Sequence, residues 1–389
     1  MSFDEIIDRR GTHCVKWDMM EPFYGVSPET GLAMWVADMD FRPPAIVRDS
    51  VAKMVDHGVF GYFGDDSAYF AAIQWWMKTR HGWDVAKDHI MSTHGLVNGT
   101  ALCVDAFTKE GDGVVLFTPV YHAFARVIAA AGREVISCPL VQVDGRYEMD
   151  LEAYSASLPA NAKIVILCSP HNPGGRVWSQ AELEAVAAFA KRHDLILVSD
   201  EIHHDLTMPG QTHIPMAKIA GIADRLVMMT SASKTFNIAA CHTGNVIIAD
   251  PVLRAKFAQR LAALGISANA FGMHMTTAAY SPEGAAWVDD LRAYLEGNRA
   301  LFDAGIDAIP GLKSMGLEAT YLAWVDFSGT GMENAEVTRR IAQDAGIAVN
   351  QGDSFGQGGE SFMRFNLAMP RAQIADAVAR MQKAFGDLQ

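Results

Sequence analysis

Short apolar runs recur along the first two thirds of the chain: VVLF at 114–117, KIVILC at 163–168, LILVS at 195–199, LVMMT at 226–230 and NVIIA at 245–249. Amphipathic stretches alternate with them, such as 122–132 and 179–193 (SQAELEAVAAFAKRH). Strands that are apolar throughout, with no polar alternate, are buried on both faces. Interleaved with helices they predict a mainly parallel sheet covered on both sides. The fold class expected is therefore α/β. From about residue 283 the texture changes. A long helical stretch (283–308) leads to ATYLAWVDF, a helix near 333–345, a glycine-rich loop NQGDSFGQGGESF and a final helix from 371. This predicts a smaller α+β unit. The irregular opening segment, with Pro22, Pro28, Pro43 and Pro44, is expected to pack on it. The division expected is a large domain over 48–282 and a small one made of 1–47 and 283–389.

Composition narrows the partners. The chain has 389 residues, 50% hydrophobic and 20% charged, the balance of a soluble globular protein. Its net charge of −13 disfavours nucleic acid and anionic membrane surfaces, which call for basic patches. It places no limit on small substrates. The five cysteines are scattered, with no Cys-x-x-Cys pair, so neither a disulfide frame nor a zinc cluster is expected. The start, MSFDEIIDRRGTHC, has no apolar core of a signal peptide, and no run reaches the roughly 18 apolar residues of a membrane span. The expected setting is cytoplasmic.

In sheets of this kind ligands collect outside the carboxyl ends of the strands. Three such loops carry unusual residues: SPHNPGG after 163–168, DEIHHD after 195–199 and SASK after 226–230. They set an amide (Asn172), an acid (Asp200) and an amine (Lys234) on successive strand ends. A lysine in a crevice can form a Schiff base with an aldehyde if its surroundings keep part of it neutral. An acid beneath a ring nitrogen would hold that nitrogen protonated. Asn172 is placed to donate to a phenolate oxygen, and Tyr121, in TPVYHAF, to stack on a flat ring. Ser231 and Ser233 suit a phosphate, as do the backbone N–H groups of Gly95, Leu96 and Val97 at the start of an apolar helix. Together these parts describe a pyridoxal 5'-phosphate site. Each also has a plainer reading: Asn172 as a turn residue, Asp200 as a helix cap, Tyr121 as core.

The order of these residues, with SPHNPGG, SDEIHHDL and SASKTFNIAA, resembles the aspartate-aminotransferase-type fold (fold type I) of pyridoxal phosphate enzymes across nearly the whole chain. Within it the strings KWD (16–18), MWVADMDF (34–41), GVFGY (58–62), TYLAW (320–324) and FMRFNLAMPR (362–371) resemble the MalY/PatB branch of cystathionine β-lyases and cysteine C–S lyases. The resemblance implies that Lys234 is the Schiff-base lysine, that Asp200 pairs with the pyridine nitrogen, that Asn172 contacts the ring oxygen and that Tyr121 stacks on the ring. Ser231, Ser233 and 95–97 would hold the phosphate. Arg364 would bind the substrate carboxylate, for which its planar fork is suited, with Ala37 close by. Tyr62 would reach the phosphate in the partner subunit's site, making a homodimer obligatory. Two positions depart from the wider pattern. His203 stands where many aminotransferases have tyrosine, and His242 where they often have a phosphate-binding arginine.

The function implied is a β-lyase that cleaves cystathionine or S-substituted cysteines to thiol, pyruvate and ammonia. An aminotransferase on the same scaffold is the alternative, and only the branch-level strings favour the lyase. A dinucleotide-binding enzyme fits less well, since no G-x-G-x-x-G follows a first strand. Phe60, Tyr62 and Trp35 are candidates for the pocket that holds the distal end of the substrate.

Overall fold

The computed structural model describes residues 3–388. Seven strands form the central sheet: β1 (Ile90–Thr93), β2 (Gly113–Thr118), β3 (Glu134–Pro139), β4 (Ala162–Cys168), β5 (Ile196–Asp200), β6 (Leu226–Thr230) and β7 (Gly244–Ile247). Their spatial order is β1-β7-β6-β5-β4-β2-β3. Strands β2 to β6 run parallel to one another. β7 lies antiparallel between β6 and β1.

The apolar runs meet the reason given for them. Along β2, Val114 and Leu116 join one core with Leu102, Phe124 and Phe257 from the helices on that side. Val115 and Phe117 join the other core, with Ile73, Trp76 and Val186. The helices Leu96–Phe107 and Pro251–Ala263 thus cover one face, and Ser67–His81 and Gln180–Arg192 the other. Each fully buried large apolar side chain contributes about 1.5–3 kcal/mol. Two strands gave no apolar run because they are edges. β3 is exposed over its first half, and β1 has two half-buried residues at its centre. The direction of β7 was also hidden, since a strand buried on both faces reads the same either way.

A second sheet is antiparallel, in the order Lys313–Ser314, Leu322–Asp326, Phe362–Asn366, Asn350–Gln351. Part of the glycine-rich stretch expected as loop is therefore strand. The helices Pro282–Asp307 and Arg371–Ala384 pack on this sheet through Phe302, Ile306, Ile374 and Met381. The helix expected near 333–345 is α-helical over Asn334–Arg339 and widens to a π-turn over Arg340–Asp344. Among the described residues no helix is long and apolar enough to cross a membrane.

The opening segment is irregular but fixed. Leu32–Ala33 pairs in parallel with Ile347–Ala348. Lys16 is fully buried, and its Nζ lies 2.8 Å from Asp40 Oδ2. Asp40 also accepts from Arg9 (2.7 Å) and from the Trp17 indole (3.1 Å), while Arg9 pairs with Asp38 at 2.8 Å. These contacts explain why KWD and MWVADMDF stand out together. Asp40→Asn leaves the buried Lys16 ammonium without its nearest counter-ion and should destabilise the protein by about 3 kcal/mol, read as a fall in the urea midpoint. An unchanged midpoint would show that Asp38 alone suffices.

Candidate active site

The carboxyl ends of β1, β2, β4, β5 and β6 open on one cavity of about 520 Å³. Asn172, Asp200, Lys234 and Tyr121 all line it, with β4, β5 and β6 adjacent in the sheet. Gly95, Leu96 and Val97 form its edge at the start of helix Leu96–Phe107. Gly95 has φ +83°, where a side chain would be strained, so glycine frees the first N–H groups of that helix to face the cavity.

Lys234 sits on the one-turn helix Ala232–Thr235, whose N-cap Ser231 accepts from the Ser233 N–H at 3.1 Å. Its Nζ donates to the Ala37 carbonyl at 2.6 Å, and the Tyr321 hydroxyl donates to the same oxygen at 2.9 Å. Burial holds the amine down at about 8, opposed by the charge of Asp38 and reinforced by that of Arg364. A useful share is therefore neutral near neutral pH. Asp200 ends β5, one residue later than the run LILVS suggested. Its Oδ1 accepts the Ile202 N–H at 3.1 Å at the start of a turn, where the plainer reading has it capping a helix. No cation pairs with it among the described residues, and burial pushes its carboxyl up to about 7.

Arg364 lies opposite, on the strand Phe362–Asn366, and is 3% exposed. Its guanidinium donates to Asn172 Oδ1 (3.0 Å), Asn350 Oδ1 (2.7 Å) and the Trp35 carbonyl (2.9 Å), and stands over the Phe355 ring. Nε has no partner, and no carboxylate reaches the group among the described residues. Burial lowers it to about 10, so it stays charged. Its bond to Asn172 also orients that amide: with Oδ1 facing the guanidinium, Nδ2–H is left to donate.

The segment carrying Ala37 is tied from both sides. Asn237 accepts the Met39 N–H (2.9 Å) and donates to the Met39 and Phe41 carbonyls (both 2.9 Å). Asn366 donates to the Val36 and Asp38 carbonyls at 2.7 and 2.6 Å. His203 lines the cavity with its Nδ1 buried and without a partner, and burial holds it neutral. Ser233 lines the cavity. Ser231 does not: its hydroxyl is 2.7 Å from the Thr243 carbonyl and caps the lysine helix. His242 stacks on His94 at 4.8 Å with the rings 1° from parallel, beside Gly95. Asn350, His94 and Arg126 also line the cavity and were not singled out from the sequence. Asn350 opens the glycine-rich stretch and His94 precedes the 95–97 turn, where neither stood out by residue type, and Arg126 lies on a helix with no motif around it. Tyr62 is fully exposed and lies outside the cavity, in a separate hollow with Phe60 and Phe271.

The sequence pattern described as aminotransferase class I and II matches residues 48–381. The chain belongs to this family. Within the class I and II family it is similar to cystathionine beta-lyase PatB of Bacillus subtilis, 38% identical over 99% of this chain and 100% of that one. It is also similar to protein MalY of Escherichia coli (31%, 98% of each chain). Among solved structures it resembles cystalysin from Treponema denticola, which contains a pyridoxal 5'-phosphate cofactor, with TM-score 0.94 and 35% identity, covering 100% of this chain and 99% of that one.

The position of Asp200 has a measurable cost in the ligand-free protein. Its folded carboxyl titrates near 7 against an ordinary 3.8. Between those values the folded state holds a proton that the unfolded state has lost, so stability falls as pH rises through the window and stays low above it. At about 1.4 kcal/mol per unit the ceiling is about 4 kcal/mol. Asp200→Asn should therefore raise the thermal midpoint of the ligand-free protein at pH 8 and leave it near wild type at pH 4. Equal midpoints at pH 8 would show that the carboxylate is not strained there.

Proposed function

We propose that this protein is a pyridoxal 5'-phosphate-dependent carbon–sulfur β-lyase acting on cystathionine or other S-substituted cysteines, working in the cytoplasm as a homodimer with shared sites. The observation that carries the cofactor is the pair of buried, uncompensated charges on either side of Lys234. Among the described residues no cation lies within ion-pair distance of Asp200, which feels only the more distant charge of Lys234, and no anion lies within that distance of Arg364. A protonated ring nitrogen would complete the first and an amino acid's carboxylate the second. The orphaned Nδ1 of His203 and the free Nδ2–H of Asn172 fit the ring oxygen. The helix start at 95–97, the Ser233 hydroxyl and His242 fit a phosphate. The lyase reading over transamination is supported by end-to-end similarity to PatB, a protein named for that reaction.

Bound, the cofactor supplies an aldehyde that links to amines and a ring that accepts the electron pair left when a proton leaves Cα. The chain supplies the rest. Lys234 Nζ is the amine that would hold the aldehyde. Freed, with its affinity for protons already lowered by burial, Nζ takes the Cα proton. Asp200 keeps the ring nitrogen protonated. Tyr121, which lines the cavity, would pack against the ring. Arg364 grips the α-carboxylate and fixes which Cα bond is activated. The Cβ–S bond then breaks, the electron pair leaves with sulfur, and water completes the products: thiol, pyruvate and ammonia. The dimer is supported by the exposed Val59, Phe60 and Tyr62 (72%, 62% and 107%), an apolar patch of the kind that marks an interface.

Incubation with cystathionine or an S-alkyl cysteine should release pyruvate, ammonia and thiol in equal amounts with no keto acid added. A new amino acid formed only when a keto acid is supplied would overturn the lyase in favour of an aminotransferase. Lys234→Ala and Tyr62→Ala should each be inactive alone. Mixed under subunit exchange they should recover about a quarter of wild-type activity, because each mixed two-fold dimer holds one site with both residues intact. Exchange without recovery would place Tyr62 in its own chain's function.

A further inference from the structure

Asp200 is the single acid lining the cavity among the described residues, against the cations Lys234, Arg364 and Arg126. On the reading above, the ring nitrogen answers Asp200, the aldehyde takes Lys234 and the α-carboxylate takes Arg364. Arg126 remains. It stands on the helix Ala123–Ala130, one turn after His122, which lines the same cavity. Its guanidinium makes no hydrogen bond or ion pair among the described residues. Other arginines of the same domain half are spent differently: Arg133 donates to the Thr108 carbonyl and Arg176 to Glu182. His122 feels the charges of both Arg364 and Arg126. Its ring also meets Phe355 edge-on at 5.6 Å, and Phe355 is the ring beneath Arg364. The two guanidiniums therefore flank one short wall of the cavity, one end buried and the other open to solvent.

We propose that Arg126, with His122 beside it, forms a second anion subsite that receives a carboxylate on the far end of the thiol arm. It selects S-substituted cysteines whose leaving thiol is itself an acid over those with neutral or cationic arms. A buried, already committed guanidinium at Arg364 takes the constant end of the substrate, and an exposed, uncommitted one takes the variable end. Among the described residues no other acid lines the cavity to hold a distal ammonium, since Asp200 is engaged by the ring. This subsite rests on the lyase reading for its substrate.

The test compares S-(2-carboxyethyl)-cysteine with its amide isostere, S-(2-carbamoylethyl)-cysteine. Wild type should favour the carboxylate in kcat/KM by roughly fivefold to tenfold at low salt, through KM, with the gap narrowing as salt screens an exposed pair. Arg126→Gln should bring the ratio close to one, and Arg126→Glu should turn the preference towards S-(2-aminoethyl)-cysteine. Equal kcat/KM for the two compounds in wild type would overturn the subsite. So would an Arg126→Gln effect that lowers kcat for both alike, because that marks a structural role. If neither compound yields pyruvate, the lyase reading fails first, and the subsite is then read by calorimetry of the same two ligands on the holoenzyme. A carboxylate preference in Kd that Arg126→Gln removes would sustain it, and equal Kd values would end it.

Discussion

A guanidinium buried without an acid is costly, and the arrangement around Arg364 is what makes it tolerable. Its donors are met by neutral oxygens from three separate places: Asn172 after β4, Trp35 in the opening segment, and Asn350 on the neighbouring strand. Neutral acceptors satisfy the hydrogen bonds and leave the charge unspent. An aspartate in place of Asn350 or Asn172 would neutralise the group and remove its use. The same logic holds at Asp200, which has one backbone donor and no cation. The site is thus a pair of deliberately incomplete ion pairs, with an amine of lowered basicity between them.

Much of this was legible in the sequence, for identifiable reasons. Strands buried on both faces announce themselves as apolar runs, and the loops that follow such strands are where ligand-binding residues gather. Asn172, Asp200 and Lys234 could therefore be placed together from order alone. What could not be read were contacts between segments far apart in the chain. Asn237 gives no sign that its amide holds residues 39–41, nor does Asn366 show that it holds 36 and 38. Ser231 looked like a phosphate ligand because it neighbours the lysine. Its hydroxyl turns instead to Thr243 and to the N-cap, a choice fixed by β7 lying alongside. Edge strands were missed because exposure breaks the apolar run.

The histidines mark where this chain departs from the wider aminotransferase pattern. At His203 and His242 it places an imidazole where a phenol or a guanidinium is common. Both residues line the cavity, one buried and neutral, the other stacked on His94 at its rim. An imidazole is shorter than either residue it replaces and can donate or accept, so contacts at these positions depend on tautomer as well as on reach.

Residues 34–38 meet the strand Phe362–Asn366 through four hydrogen bonds donated by Arg364 and Asn366. The two halves of that junction lie more than 300 residues apart in the sequence. A ribosome makes the lysine, the acid and the amide long before it makes the strand that positions Ala37 above them. A nascent chain with its large sheet already folded therefore has no finished cavity until synthesis has passed Asn366. Completion of the cavity is in this way deferred until the strand Phe362–Asn366 has been made.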